Sequence, residues 1–210
     1  MSLLPQNARQ TFFFKDDVTL EERCYDGDVF NGKCHGFGKL TNMGTHTVYF
    51  EGTWSEDMPI SGRARYNFDP FGVYIGPMIN SKFEGEDCVV LLNNGWRYRG
   101  AMSNNMAHGI GVLYSVDGSK LYEGDFKNGT KHGSGHEWHV NGGWYTGQFQ
   151  CDQRHGSGLY KFPNGATYDG QWVRGKMEGH GELKREDGSV YKGLFKKNCL
   201  SYTSTGYETT

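Results

Sequence analysis

Tyr122-Glu123-Gly124-Asp125-Phe126, then Lys127-Asn128-Gly129-Thr130-Lys131, then His132-Gly133-Ser134-Gly135: this stretch decides how the chain folds. Positions 122, 124 and 126 are aromatic, glycine and aromatic, with acids between them. A period of two marks a strand with one apolar and one wet face. The Asn-Gly stretch is a turn signal, and a second strand built on Gly-x-Gly follows it. The stretch spells a β-hairpin.

The hairpin recurs. Aromatic-x-Gly begins at Tyr25, Phe50, Tyr74, Tyr98, Tyr122, Tyr145, Tyr168 and Tyr191, at spacings of 25, 24, 24, 24, 23, 23 and 23 residues. His-Gly-x-Gly begins at His35, His108, His132 and His155. Further turn signals (Asn94-Gly95, Asp117-Gly118, Asn141-Gly142, Asn164-Gly165, Asp187-Gly188) lead each hairpin into the next. A fixed period of this length is the signature of a repeat array. Glycine weakens a strand unless something must come close to its backbone. The expectation is that Tyr, Phe and Trp rings lie flat over these glycines and replace the core a second layer would supply.

The pattern Tyr-x-Gly-x-(Phe/Trp), with Gly-x-Gly in the second strand and a period of 23 or 24, resembles the MORN repeat (membrane occupation and recognition nexus). The units from Tyr98 to Gly181 match closely. Those from Phe50 and Tyr74 are degenerate: Ile60-Ser61-Gly62-Arg63-Ala64 is displaced by one residue, and Gly85-Glu86-Asp87 lacks the second glycine. The resemblance implies an all-β fold, an elongated single-layer twisted antiparallel sheet of consecutive hairpins with a groove along one face. About 16 strands at ~4.8 Å give a rod roughly 75 Å long. The expected organisation is an N-terminal segment over 1–24, an array of seven to eight units over 25–200, and a tail over 201–210. Thr11-Phe12-Phe13-Phe14-Lys15 reads as a half-repeat capping the first hairpin, because open edges attract other strands.

Composition agrees with such an array. The chain has 210 residues with 32 Gly, 13 Phe, 13 Tyr and 5 Trp, and a net charge of −2. Leu, Ile, Val and Phe together make up only 19% of it, too little for an ordinary two-layer domain of this length. The longest nearly apolar stretch, Cys88 to Leu92, is far too short for a membrane-spanning helix. Met1 to Asn7 has no charged-then-apolar signal region. Five cysteines (24, 34, 88, 151, 199) without Cys-x-x-Cys read as free thiols in a reducing compartment, so a cytoplasmic location is expected. Residues 1–60 carry net −4, and residues 161–200 carry net +3. No nucleic-acid partner is expected.

Sites of chemistry are hard to find. His35, His108, His132 and His155 hold equivalent positions about two strands, or ~10 Å, apart, too far for shared zinc ligation at ~2.1 Å. Their expected role is to cap turn backbone groups and pack beside Tyr. Gly133-Ser134-Gly135 and Gly156-Ser157-Gly158 lack the strand-to-helix switch of a nucleophile elbow, and there is no phosphate loop. Asp16-Asp17 and Glu21-Glu22 read as solvated charge. No catalytic residue, metal site or cofactor is expected.

Surface remains. Large exposed apolar patches mark interaction sites. The candidate partner-binding stripe is Tyr98, Tyr122, Phe126, Tyr145, Phe149, Tyr168 and Trp172, with Met78 and Met102 as adaptable substitutes. The competing reading is that these rings only cover their own glycines. The resemblance implies a non-catalytic scaffold whose groove takes a helical or extended segment of a partner protein, in a cytoskeletal assembly such as a ciliary or axonemal one. It also implies two alternatives, a membrane-surface adaptor and a targeting subunit of a separate enzyme chain. Homodimerisation through sheet edges is a further family-level expectation. The Lys192-Lys196-Lys197 group is thin for membrane attachment, and there is no lipidation box.

Overall fold

The computed structural model describes residues 8–15, 21–67 and 72–203. These residues are all-β and belong to two units, residues 1–106 and 107–210. Met1-Asn7, Asp16-Asp17 and the tail from Ser204 lie outside the described residues.

In the first unit the strands are β1 (Ala8–Lys15), β2 (Glu22–Phe30), β3 (Lys33–Asn42), β4 (Val48–Ser55) and β5 (Met58–Asn67), then β6 (Gly72–Ile79), β7 (Lys82–Phe83), β8 (Gly85–Leu92) and β9 (Arg97–Ser103). In the second they are β10 (Met106–Tyr114), β11 (Lys120–Lys127), β12 (Thr130–Trp138), β13 (Trp144–Gln150) and β14 (Gln153–Lys161), then β15 (Thr167–Val173), β16 (Lys176–Lys184), β17 (Val190–Lys196) and β18 (Cys199–Thr203). Within each unit strand order follows chain order and every pairing is antiparallel. Each unit is an open, single-layer sheet of consecutive hairpins, as the repeat requires. β1 pairs with β2 along its full length, Ala8 against Val29 to Lys15 against Glu22.

The two kinds of turn differ. Between the strands of a repeat, both turn residues are left-handed: Asn128 and Gly129 have φ of 50° and 82°. That is the primed hairpin turn, whose twist matches the strands. Non-glycine pairs hold the same geometry at Glu56-Asp57, Asn104-Asn105, Cys151-Asp152 and Lys197-Asn198. Their left-handed strain is offset by a clamp to the preceding repeat. The Asp152 amide donates to the Lys131 carbonyl (3.0 Å), and the Lys131 amide donates to Asp152 Oδ1 (2.8 Å). Asp57 clamps Cys34, Asn105 clamps Phe83 and Asn198 clamps Met177 in the same way. Between repeats the turn is wider: Ser115 accepts from Gly118 and donates to Ser119, and only the glycine is left-handed.

The first glycine of His-Gly-x-Gly makes a bulge. Gly133 and Gly156 have φ of 54° and 61°, a region L side chains avoid. A side chain three residues after the repeat's Tyr caps each bulge: Asp125 Oδ2 accepts the Ser134 amide (2.8 Å) and Gln148 Oε1 the Ser157 amide (3.0 Å). Asp28 and Gln171 do the same for Phe37 and His180. This corrects the expectation for the histidines. Among the described residues no side-chain hydrogen bond is made by His35, His108, His132 or His155; the capping belongs to these acids and amides on the neighbouring strand.

The remaining glycines form a row. In the second unit Gly111, Gly124, Gly135, Gly147, Gly158, Gly170, Gly181 and Gly193 face one another across successive strands. The Tyr rings lie on that row. Tyr145 reaches over Gly147 and Gly158, and its hydroxyl donates to the Gln148 carbonyl (2.9 Å). The same hydroxyl-to-carbonyl bond, three residues on, is made by Tyr25, Tyr74, Tyr98, Tyr122 and Tyr168.

The degenerate units keep the hairpin. In β5 the Gly52–Gly62 pair survives, with Trp54 opposite Pro59. In β8 Cys88 stands where glycine is expected, opposite Gly100, fully buried with its Sγ 3.2 Å from Tyr74 Oη.

Candidate interaction face

The seven stripe residues do not form an exposed patch. Tyr145 and Tyr168 are fully buried, and Tyr98, Tyr122, Phe126, Phe149 and Trp172 are all under a tenth exposed. Met78 and Met102 are buried as well. The rings pack on their glycines and on one another. In the second unit an edge-to-face ladder runs Phe126, Tyr122, Phe149, Tyr145, Trp172, Tyr168, Phe195, with centroids 4.8–5.4 Å apart and planes 75–90° apart. That geometry favours each ring's positive edge on its neighbour's face. Trp172 Nε1 donates to the Gly158 carbonyl (2.9 Å), so the indole keeps its hydrogen bond while buried. Burial pushes the Tyr145 and Tyr168 phenols up to about 12. The stripe is the core of a sheet that has no second layer.

What covers the rings is the second strand of each repeat. Residues directly opposite one another on paired strands share a face. Opposite the rings stand Leu113, Glu137, Tyr160 and Leu183 on one side of the glycine row, and Lys131, Arg154 and Met177 on the other. In the first unit the equivalent positions are all uncharged: Cys34, Leu40, Pro59, Ala64, Tyr66, Phe83 and Val90. At these second-strand positions only the second unit carries charge; in the first unit charge enters the face on the other strand, at Arg23, which is ion-paired with Glu21.

The second unit's charge is a tight cluster. Glu137, 16% exposed, pairs with Lys131 through Oε1, while its Oε2 lies 3.4 Å from Arg154 Nε and 3.4 Å from His139 Nε2. Burial alone would raise the Glu137 carboxyl, but the hydrogen bond and charge of Lys131 and the charge of Arg154 overcome it and hold it below the usual range. Arg154 Nη2 lies 3.1 Å from His139 Nε2. A guanidinium only donates, so that nitrogen is the acceptor and the imidazole is neutral. Burial also pushes His139 down, with the two cations adding to it. The cations sit on rings: Arg154 Cζ is 4.4 Å from the Tyr160 centroid and 5.3 Å from Trp172, and Lys131 Nζ is 5.4 Å from Phe149.

Tyr160 continues the surface. Its ring meets Phe162 edge-to-face at 4.6 Å, and Phe162 borders an open hollow of about 560 Å³ with Ala166, Leu183 and Arg185 on its walls. On the opposite face His136 is sandwiched by Trp138 (4.1 Å) and Trp144 (5.3 Å). Among the described residues no group of three or more His, Cys, Asp or Glu could hold a metal ion. The same residues contain no helix long and apolar enough to cross a membrane.

A family model for the MORN repeat matches residues 25–42, 98–120, 122–144, 145–167 and 168–190, more than half of the chain. The chain belongs to the MORN-repeat family. Each MORN match begins on a tyrosine whose hydroxyl donates to the carbonyl three residues on, Tyr25, Tyr98, Tyr122, Tyr145 or Tyr168. The unmatched segment between Asn42 and Tyr98 holds the two degenerate units, which nevertheless fold as hairpins. MORN repeats belong to protein-interaction and membrane-associated repeat proteins. A search of curated proteins gives no significant match.

Lys131, Glu137, Arg154 and Tyr160 were not singled out in the sequence. Aligning repeats on His-Gly-x-Gly exposes them. The residue before His is Cys34, Ala107, Lys131 or Arg154, and the residue two after the second glycine is Leu40, Leu113, Glu137 or Tyr160. The departures from apolar character fall in adjacent repeats.

Proposed function

We propose that this MORN protein is a non-catalytic scaffold that holds segments of partner proteins on the ring face. The observation that carries this is the half-exposed outer layer of the second unit, where Leu113, Tyr160, Phe162 and Leu183 present apolar surface around a charge cluster and beside a hollow. Interfaces place aromatic and Arg anchors in such settings. Contact is made by this outer layer, and the buried rings beneath it set its shape. Replacing Tyr145 or Tyr168 would remove fully buried core, so neither tests binding.

A photo-crosslinking residue at Tyr160 is the direct test. Protein adducts of discrete mass, lost on competition with untagged protein, support the reading, and adducts to lipid alone refute it. A cytoplasmic setting within a cytoskeletal or ciliary assembly is supported by family resemblance alone. Retention in a detergent-resistant, salt-sensitive pellet supports it, and full release by mild detergent refutes it. The membrane alternative is weakened by Lys192, whose ammonium pairs with Glu182 at 3.1 Å.

A further inference from the structure

We infer that the ring face of the second unit selects an acidic amphipathic segment of a partner protein, with Arg154 receiving a carboxylate beside an apolar side chain seated near Phe162. This rests on the reading of that face as a protein-binding surface and adds the chemistry of the occupant.

The observation is an imbalance of charge. Lys131 and Arg154 face the rings with one carboxylate, Glu137, between them, and His139 presents its lone pair to Arg154. One positive charge is left over in a largely apolar setting. It belongs to the guanidinium more than to the ammonium, because Lys131 takes Glu137 Oε1 while Arg154 shares Oε2 at 3.4 Å. A guanidinium has five N–H donors in a planar fork. Arg154 uses Nε on Glu137 and Nη2 on His139, and its Nη1 has no hydrogen-bond partner among the described residues. The fork is stacked on Tyr160, which fixes it before any partner arrives. Donors held in place beside apolar surface suit a carboxylate, which accepts two parallel bonds.

Neighbouring features set the rest of the occupant. Arg154, Tyr160 and Phe162 are contiguous through ring contacts, and the hollow opens beyond Phe162. An acid next to a large apolar residue satisfies both. A flat anionic bilayer suits the site poorly, because Lys131 and Arg154 side chains are only 20% and 21% exposed and lie among rings. In the first unit equivalent positions are uncharged, so the preference belongs to the second unit alone.

The test begins with the full-length chain immobilised and a random 16-residue peptide library displayed on phage. Enriched peptides are expected to carry Asp or Glu beside a large apolar residue. The best is then synthesised with its acid intact or changed to amide, and binding is read by fluorescence anisotropy. On the wild type, the change to amide should weaken binding at least tenfold. Arg154→Gln should weaken the acidic peptide by a similar factor and leave no further loss for the amide form. Arg154→Lys, which keeps the charge and loses the fork, should fall between, and melting curves of both variants confirm folding. Enrichment without acidic bias, or binding indifferent to Arg154→Gln, overturns the inference while leaving a protein-binding face. No enriched peptide, with or without binding to phosphatidylcholine vesicles containing phosphatidylserine, overturns both.

Discussion

Adding one methyl group at Gly158 should be among the most damaging small changes in the molecule, and the cause can be isolated. A Cβ there would lie 2.5 Å from Cε2 and Cζ of Tyr145 and closer still to Oη. Carbon atoms pack at about 3.5–4.0 Å, so the ring must retreat by about 1 Å or more. It has nowhere to go, since Phe149 and Trp172 flank it edge-on at 5.1 and 5.4 Å. Displacement forfeits the bond to the Gln148 carbonyl, about 1 kcal/mol, and two aromatic pairs at about 1 kcal/mol each. With partial loss of burial, Gly158→Ala should cost about 3–4 kcal/mol. Gly158 is not among the left-handed glycines, so alanine adds no backbone strain there. Tyr145→Ala alone should cost about 3–5 kcal/mol, by analogy with other large-to-small core changes. In that background Gly158→Ala should cost under about 0.5 kcal/mol, because the obstructing ring has gone. The coupling of about 3 kcal/mol is measured by urea unfolding of the four-member cycle, followed by far-UV circular dichroism. Gly179→Ala is the control: its φ of 71° and the Gln171 amide oxygen above it belong to a bulge whose capping residue is bonded to Tyr168 and not to Tyr145, so its cost should persist in both backgrounds. If Gly158→Ala is as harmful without Tyr145 as with it, the ring-over-glycine account of the fold is wrong.

Three further outcomes are expected. Tyr25, Tyr145 and Tyr168 titrate near 12 in the folded state, so the stability each contributes is full below the ordinary phenol value and lost as pH rises from about 10 to 12. Each should remove about 1.4 kcal/mol per pH unit in that window, giving a steep alkaline transition in which phenolate absorbance and loss of circular dichroism coincide. Non-coincidence would show that the rings ionise in place. Glu137→Gln leaves Lys131 and Arg154 facing each other and should destabilise the second unit by about 2 kcal/mol at pH 7. Because the Glu137 carboxyl is held below its usual range, its contribution is present above that range and fades as pH falls through the lowered value; the wild type should lose its advantage over Glu137→Gln in acid. Asp152→Ala removes the acceptor for the Lys131 amide at a position with φ of 65° and should cost about 1–2 kcal/mol. Asp152→Asn, which keeps the side-chain acceptor used at Asn105 and Asn198, should cost less, and equal melting temperatures for the alanine and asparagine variants would refute the clamp.

The fold was legible because the period is nearly constant and every copy repeats the same ring, glycine and turn. Even the degenerate units could be placed, since Tyr74 and Tyr98 kept the count. Of the two readings of the stripe, burial follows the one in which the rings cover their own glycines. The cover on the rings' outer side was not legible: each hairpin's second strand supplies it, and Leu113, Tyr160 and Leu183 look unremarkable in any one copy. The charge cluster was hidden for a related reason. Lys131, Glu137 and Arg154 read as ordinary polar positions until register set them opposite Phe126, Tyr122 and Phe149. The histidine role failed because the bulge brings the amide of the following residue to Asp125 or Gln148, a contact that crosses strands and leaves no local signal.

Consecutive strand order has a consequence for how the protein comes into being. Within each unit a strand needs only what has just been synthesised, for its partner lies one turn back and its clamp about 21–23 residues back. Closure of such short loops is entropically cheap and fast. A nascent chain emerging from a ribosome can therefore zip hairpin onto hairpin, each tyrosine already present when the pair of glycines it will roof arrives. The exposed edge at any moment is the next strand's template, and the growing sheet has one place to add to.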